Sequence, residues 1–199
     1  MEIRDRSLVG EEIILDGKSA TVHFILHSTL VDCRIRCSSK GRMLAISDTT
    51  FDGCVFDQRV ALSDFDFTRS RFSNSKFKGK YVGVDFGSKH PSGGISECDF
   101  TDASLHLCRF YGDGSVASRF AGWPFVAIPF PGSGLRVVQG AVDVSGLEVL
   151  LGVLSRQSPE CSCVVIDMRT VSREQSIDLE DLKAMFAPYV HEGECESKI

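Results

Sequence analysis

A mainly β solenoid, followed by a small α/β unit, is the architecture this sequence predicts. Three observations predict it. Large apolar residues recur at every fifth position between Leu15 and Phe110. Small residues stand two places before most of them. After Gly112 the beat stops, and the spacing changes to that of ordinary helices and strands. A helix spaces its apolar residues by three and four and a strand by two, so five fits neither element alone. A fixed repeat of this kind marks units that stack, because one unit cannot bury its apolar side by itself.

The stretch FTRSRFSNSKF (Phe67 to Phe77) shows the beat most plainly, with three phenylalanines five apart. Calling the large apolar residue the centre, four registers follow: Leu15, Ala20, Ile25, Leu30, Ile35; then Ile46, Phe51, Phe56, Ala61; then Phe67, Phe72, Phe77, Val82; and Ile95, Phe100, Leu105, Phe110. Of these 17 centres, 10 have a small residue two places earlier, among them Ser28, Cys33, Thr49, Cys54, Ser70, Ser75 and Cys98, which is too regular for a generic core. His23, Arg59, Phe65 and Lys80 depart from that rule. The register slips between Ile35 and Ile46, between Ala61 and Phe67, and across SKHPSGG (Ser88 to Gly94), whose Pro and Gly mark a protruding loop.

Segments such as CVF (Cys54 to Phe56) and CDFTDASLHLCRF (Cys98 to Phe110) resemble the pentapeptide-repeat family over roughly residues 13–112. That resemblance implies a right-handed quadrilateral β-helix in which each five-residue unit forms one side of a square coil, with the centre and the small residue pointing inward. Seventeen centres imply about four coils and, at the spacing of neighbouring strands, a length of about 20 Å.

Residues 1–112 are therefore assigned to the solenoid, and 113–199 to a connector, a small α/β capping unit and a polar tail. Within AGWPFVAIPFPGSG, Trp123 and Phe125 are expected to seal the last coil, since a solenoid end must be covered. Ser145 and Glu148 form a capping box ahead of Leu147, Leu150, Leu151 and Leu154 at helical spacing, predicting a helix that ends near Ser158-Pro159. CVVIDM (Cys163 to Met168) reads as a short buried strand. IDLEDLKAMFAPY reads as a second helix, with Asp178 as N-cap, early acids favoured by the helix dipole, and Leu179, Leu182 and Phe186 on one face.

Composition narrows the function classes. With 199 residues, 43 % hydrophobic and 25 % charged, the chain can bury a real core. No run approaches the roughly 20 apolar residues of a membrane span, and the first residues carry no signal-peptide pattern, so a cytoplasmic protein with no membrane contact is expected. Eight cysteines without a CxxC pair read as reduced and structural. The formal charge of −5 resides entirely in the C-terminal part, because residues 1–119 hold 16 basic and 16 acidic side chains. A neutral solenoid argues against direct nucleic-acid binding, which needs a basic surface. His23, His27, His90, His106 and His191 form no metal motif, and no nucleophile, phosphate-loop or dinucleotide motif is present. No cofactor, no metal and no enzyme activity is expected.

Charges within the solenoid alternate along the chain. Asp48, Asp52, Asp57, Asp64 and Asp66 precede Arg69, Arg71, Lys76, Lys78 and Lys80 by about one coil, and Asp48 to Arg69 and Asp57 to Lys78 are each 21 residues. This pattern predicts cross-coil ion pairs in preference to a dedicated acidic patch. Solenoids serve mostly as rigid binding surfaces. The layout resembles pentapeptide-repeat immunity proteins, which implies binding and neutralising a cognate antibacterial toxin, such as a nuclease effector of type VI secretion encoded by a neighbouring gene. Candidate partner-binding residues are Asp52, Asp57, Asp64, Asp66, Asp99 and Asp102 with the loop residues Lys89 and His90. The alternatives are a DNA-mimicking modulator of DNA gyrase, for which this solenoid is short and neutral, and a non-catalytic protein-binding scaffold.

Overall fold

The structure, a computed structural model, describes residues 1–17, 22–112, 117–134 and 146–190. Ala20, Ser145, His191, most of the connector and the polar tail lie outside the described residues.

Short strands wind through about five turns, one more than the beat suggests. The first turn holds β1 (Glu2–Arg4), β2 (Ser7–Val9) and β3 (Glu12–Leu15), and the second holds β4 (His23–Leu26), β5 (Thr29–Val31) and β6 (Arg34–Cys37). The third comprises β7 (Leu44–Ser47), β8 (Thr50–Asp52) and β9 (Val55–Ser63); the fourth, β10 (Arg71–Ser73) and β11 (Lys76–Val82). Then follow β12 (Asp85–Gly87), β13 (Gly94–Ser96), β14 (Asp99–His106), β15 (Cys108–Tyr111) and β16 (Arg119–Phe120). They pair in parallel as β1-β4-β7, as β2-β5-β8-β10-β13 and as β3-β6-β9-β11-β14-β16. At the usual strand spacing, five turns make a stack about 24 Å long.

The interior is filled by ladders of like side chains. One runs Leu8, Leu30, Phe51, Phe72, Ile95. Another runs Ile13, Ile35, Phe56, Phe77, and continues through Phe100 to Phe120. Phe67, Phe86 and Phe110 stack on a third side, with ring centroids 5.3 and 5.2 Å apart. Phe51, Phe72, Phe77, Phe86, Phe100 and Phe110 are fully buried. Stacked and edge-on ring pairs of this kind add about 0.5–1.5 kcal/mol each to the area they bury.

Several of the small residues before the centres have a hydrogen-bonding reason as well as a steric one, although the buried Ser70 hydroxyl finds no partner among the described residues. The bonded side chains donate to the carbonyl two residues back, just before the bend: Ser28 to Leu26 at 2.8 Å, Thr49 to Ser47 at 2.9 Å, Ser75 to Ser73 at 2.9 Å and Cys33 to Val31 at 3.3 Å. Ser, Thr and Cys thereby find an acceptor for their own buried donor, at a carbonyl that also accepts a backbone N–H from the neighbouring coil. Two residues after most centres the chain turns through positive φ, at Asp5, Asp32, Gly53, Asp64, Asn74 and Gly83 among others. Asp, Asn and Gly suit that left-handed conformation.

Several expectations need correction. Ala61 is exposed and Leu62 takes the interior place; Val82 is half-buried and Tyr81 takes its place. In β9 the step from Phe56 lengthens to six residues, in β11 the step from Phe77 shortens to four, and a register shift between Gly79 and Tyr81 reconciles them. Leu15 is buried but pairs with Cys37; the centre stacked on Ile35 is Ile13. The first turn, built on Ile3, Leu8 and Ile13, carries no small residues at the expected spacing, which hid it from the beat. Phe86 and Phe120 were missed because each follows a slip. His23 does occupy an interior small-residue position, with its Nε2 2.7 Å from the Asp16 carbonyl.

The C-terminal residues form β17 (Phe125–Pro129), α1 (Pro131–Gly134), α2 (Glu148–Ser155), β18 (Cys161–Asp167), α3 (Met168–Gln175) and α4 (Leu179–Met185). Strand β18 runs antiparallel to both β15 and β17, so the sheet of the last coil continues into this layer. All seven residues of β18 are buried. Cys163 and Val165 join the solenoid core, whereas Val164 and Ile166 join a second core with Leu154, Leu182, Met185 and Phe186. Phe125 packs against the solenoid core as expected, but Trp123 joins the second core. Asp178 caps α4 by accepting from the Glu180 N–H at 2.8 Å. Helix α3 was not foreseen; Asp167 caps it through the Arg169 N–H at 3.0 Å.

Candidate functional site

With the interior filled, the outer faces carry the available side chains. On the face of β3-β6-β9-β11-β14-β16 two columns run along the stack. Register places Glu12, Arg34, Val55, Lys76, Asp99 and Arg119 in one, and Ile14, Arg36, Asp57, Lys78 and Asp102 in the other. Signs alternate from coil to coil except at Ile14 and Val55, and pairs close between them: Arg36 to Glu12 at 3.1 Å, Lys76 to Asp102 at 2.9 Å, Lys76 to Asp99 at 3.3 Å and Arg119 to Asp99 at 2.9 Å. Burial works against the Asp99 carboxylate, but Thr101 hydrogen bonds and Lys76 outweigh it and hold its pKa below the ordinary value. Lys76 does the same for Asp102 by direct hydrogen bonding.

This face brings Asp57, Asp99 and Asp102 together, and it balances them. The ion pair read from the sequence between Asp48 and Arg69 forms at 3.4 Å. Asp57 and Lys78 are register neighbours as read, although the cation nearest Asp57 is Arg59 at 2.6 Å. Such pairs contribute about 0–1 kcal/mol each at an exposed surface.

The other three acids lie elsewhere. Asp52 belongs to the outer column Val9, Val31, Asp52, Ser73, Ser96. It accepts from Asn74 at 2.9 Å and Ser73 at 2.8 Å, and these two bonds lower its pKa. Asp64 sits at a positive-φ bend. Asp66 accepts from the Thr68 N–H at 2.7 Å and hydroxyl at 2.6 Å. Asp52, Asp64 and Asp66 make no ion pair among the described residues, so they keep their charge uncompensated. The six acids therefore do not form one patch.

Lys89 and His90 lie in the loop between β12 and β13, and both are exposed. The Lys89 ammonium binds the Asp85 carboxylate and sits over the Tyr111 ring, 4.0 Å from its centroid. Arg109 Nε donates to the other oxygen of Asp85. Reasoning from sequence missed Asp85, Arg109 and Tyr111. The signal was present, since Asp85 precedes Arg109 by 24 residues, about one turn, and the two are register partners. The His90 side chain has no partner among the described residues; its carbonyl accepts from Ser88 and Gly93.

Other reactive groups are locked away. Burial pushes the thiols of Cys54 and Cys98 up to about 11 and that of Cys108 up to about 12, which suppresses thiolate chemistry. His106 is buried, and its Nδ1 has no hydrogen-bond partner among the described residues. Among the described residues no three metal-ligating side chains cluster, and no helix is long and apolar enough to cross a membrane. No protein-family model matches this chain, and no curated protein matches it.

Proposed function

We propose that this chain is a right-handed, four-sided β-helix of the pentapeptide-repeat kind and that it works as an immunity protein, binding a cognate antibacterial toxin and occluding its active site or substrate surface. The observation that carries the binding role is the filled interior: six phenylalanines are buried completely, so the solenoid offers rigid outer walls to a partner. The immunity role rests on the layout of an irregular solenoid followed by a Trp-Pro segment and a small α/β layer. Asp52, Asp64 and Asp66 are the acids that remain unpaired, and they supply the charge that would steer a basic toxin cleft toward the protein. The paired acids Asp57, Asp99 and Asp102 contribute less, because their fields are cancelled locally.

The test pairs this protein with the toxin-like protein encoded beside its gene. Co-expression should restore growth, and binding should be nanomolar. Reversing Asp52, Asp64 and Asp66 together to lysine should slow association by roughly tenfold or more at low salt. Growth inhibition that persists on co-expression, with no complex formed, would overturn the proposal.

A further inference from the structure

The structure assigns a second, oppositely charged feature to the edge of the last coil: Arg109, Lys89 and Tyr111 form a preorganised notch that takes a carboxylate, delivered by an acidic side chain of a protein partner. Asp85 is the anchor. Only 6 % of it is exposed, and both its oxygens are engaged, one by Arg109 Nε and one by Lys89 Nζ. Two fixed cations thus share one buried carboxylate, leaving the cluster with one uncompensated positive charge on a protein whose formal charge is −5. Asp66, the next carboxylate along the column, keeps its own charge but lies on the far side of Asp85 from Arg109, so it offsets the Arg109 edge of the cluster only weakly.

Arg109 and Lys89 are brought side by side by the carboxylate they share. Arg109 uses only Nε in holding Asp85, so its terminal amino groups have no partner among the described residues, and the side chain is 38 % exposed. A guanidinium held at one corner presents the planar N–H pair that matches the two oxygens of a carboxylate. Lys89, 29 % exposed, is fixed by Asp85 and the Tyr111 ring. The Tyr111 side chain is buried; burial, the largest influence on it, raises its pKa and keeps it neutral, opposed by the hydrogen bond with Lys89. The three groups are held by β12, the loop after it and β15, so little ordering remains to be done on binding.

The exposure of Lys89 and Arg109 also selects the source of the carboxylate. Cations this exposed do not enclose a small free anion, whereas a carboxylate on a protein surface arrives with further contacts around it. This inference deepens the binding reading above by naming the chemistry one contact would have, and its test needs no toxin.

The test follows the Arg109 Nε–H and Tyr111 ring signals by NMR during titration with three probes: acetate, a short peptide carrying one glutamate, and inorganic phosphate. Chloride at matched ionic strength is the control. Acetate and the peptide should give saturable shifts confined to Arg109, Lys89 and Tyr111, with the peptide binding more tightly. Arg109→Lys, which keeps the charge and removes the fork, should weaken both by about tenfold. Tyr111→Phe, the milder variant, should weaken both about threefold and keeps the inference testable if Arg109→Lys does not fold. Shifts that match chloride, or that survive both substitutions, would overturn the site. Phosphate binding more tightly than the peptide would overturn the assignment to a protein carboxylate. Failure of toxin neutralisation would leave this result intact, and an empty notch would leave the immunity proposal standing.

Discussion

Each interior position of the coil is set by one side chain, and the consequences differ by residue type. Phe77 is fully buried, stacked 5.0 Å from Phe56 and 4.5 Å from Phe100. Phe77→Ala removes the middle of that ladder, and the flanking rings cannot close the gap because their own backbones are held by strand pairing. Denaturant unfolding should show a loss of about 3–5 kcal/mol. His106 responds to pH instead. Burial is the main influence and lowers its pKa, opposed by the negative charges of Glu174 and Asp167, with Lys80 adding to the lowering. The folded state thus takes up its proton less readily than the unfolded chain. Stability should be full above the ordinary histidine value of 6.5 and fall as pH drops from there through the depressed value. His106→Gln should flatten that fall in unfolding midpoints measured between pH 8 and pH 5; an unchanged slope contradicts the burial account. The lowered carboxylates Asp48, Asp52, Asp99 and Asp102 act in a separate window, because what they contribute is present above 3.8 and is lost only in stronger acid.

Among the elements, β18 is the one on which the two cores depend. Its alternate side chains serve the solenoid and the helical layer, and its backbone covers the edge of β15. Val165→Asp would place an unpaired carboxylate where the side chain is 1 % exposed. A loss of at least about 3 kcal/mol is expected, with faster hydrogen exchange at the β15 amides; protection there equal to the parent protein would show that β18 does not hold the edge. This strand was legible from sequence because CVVI, Cys163 to Ile166, is a continuous apolar run. Helix α4 was legible through its Asp178 cap, and the middle coils through phenylalanines five apart. What escaped notice has physical causes. Ile3 and Leu8 lack the small residues that mark a unit, Phe86 and Phe120 follow slips that break the count, and Leu62 and Tyr81 belong to sides that stretch or shrink by one residue. Helix α3 follows β18 directly, so no loop composition announces it. The Asp57–Lys78 register was legible from the 21-residue interval, whereas Asp99 and Asp102 meet Lys76 and Lys78 at 23 and 24 residues across a register shift that the interval does not give.

At the level of the whole molecule, a repeat of about 21 residues converts a sequence of short units into columns. Inward columns are apolar rings and aliphatics; outward columns carry charges of both signs, many closed into ion pairs, while Asp52, Asp64 and Asp66 close none among the described residues. The binding proposals depend on that geometry, because only stacking brings Asp85 beside Arg109 or Lys76 beside Asp99. Long-range NMR contacts between the rings of Phe56, Phe77 and Phe100 test it most directly, since these residues lie 21 and 23 positions apart in sequence. The account predicts strong ring-to-ring contacts from Phe56 to Phe77 and from Phe77 to Phe100, with Phe51 to Phe72 as a parallel set. Contacts that instead tie Phe77 to partners across a local hairpin, with none reaching one turn away, would contradict it.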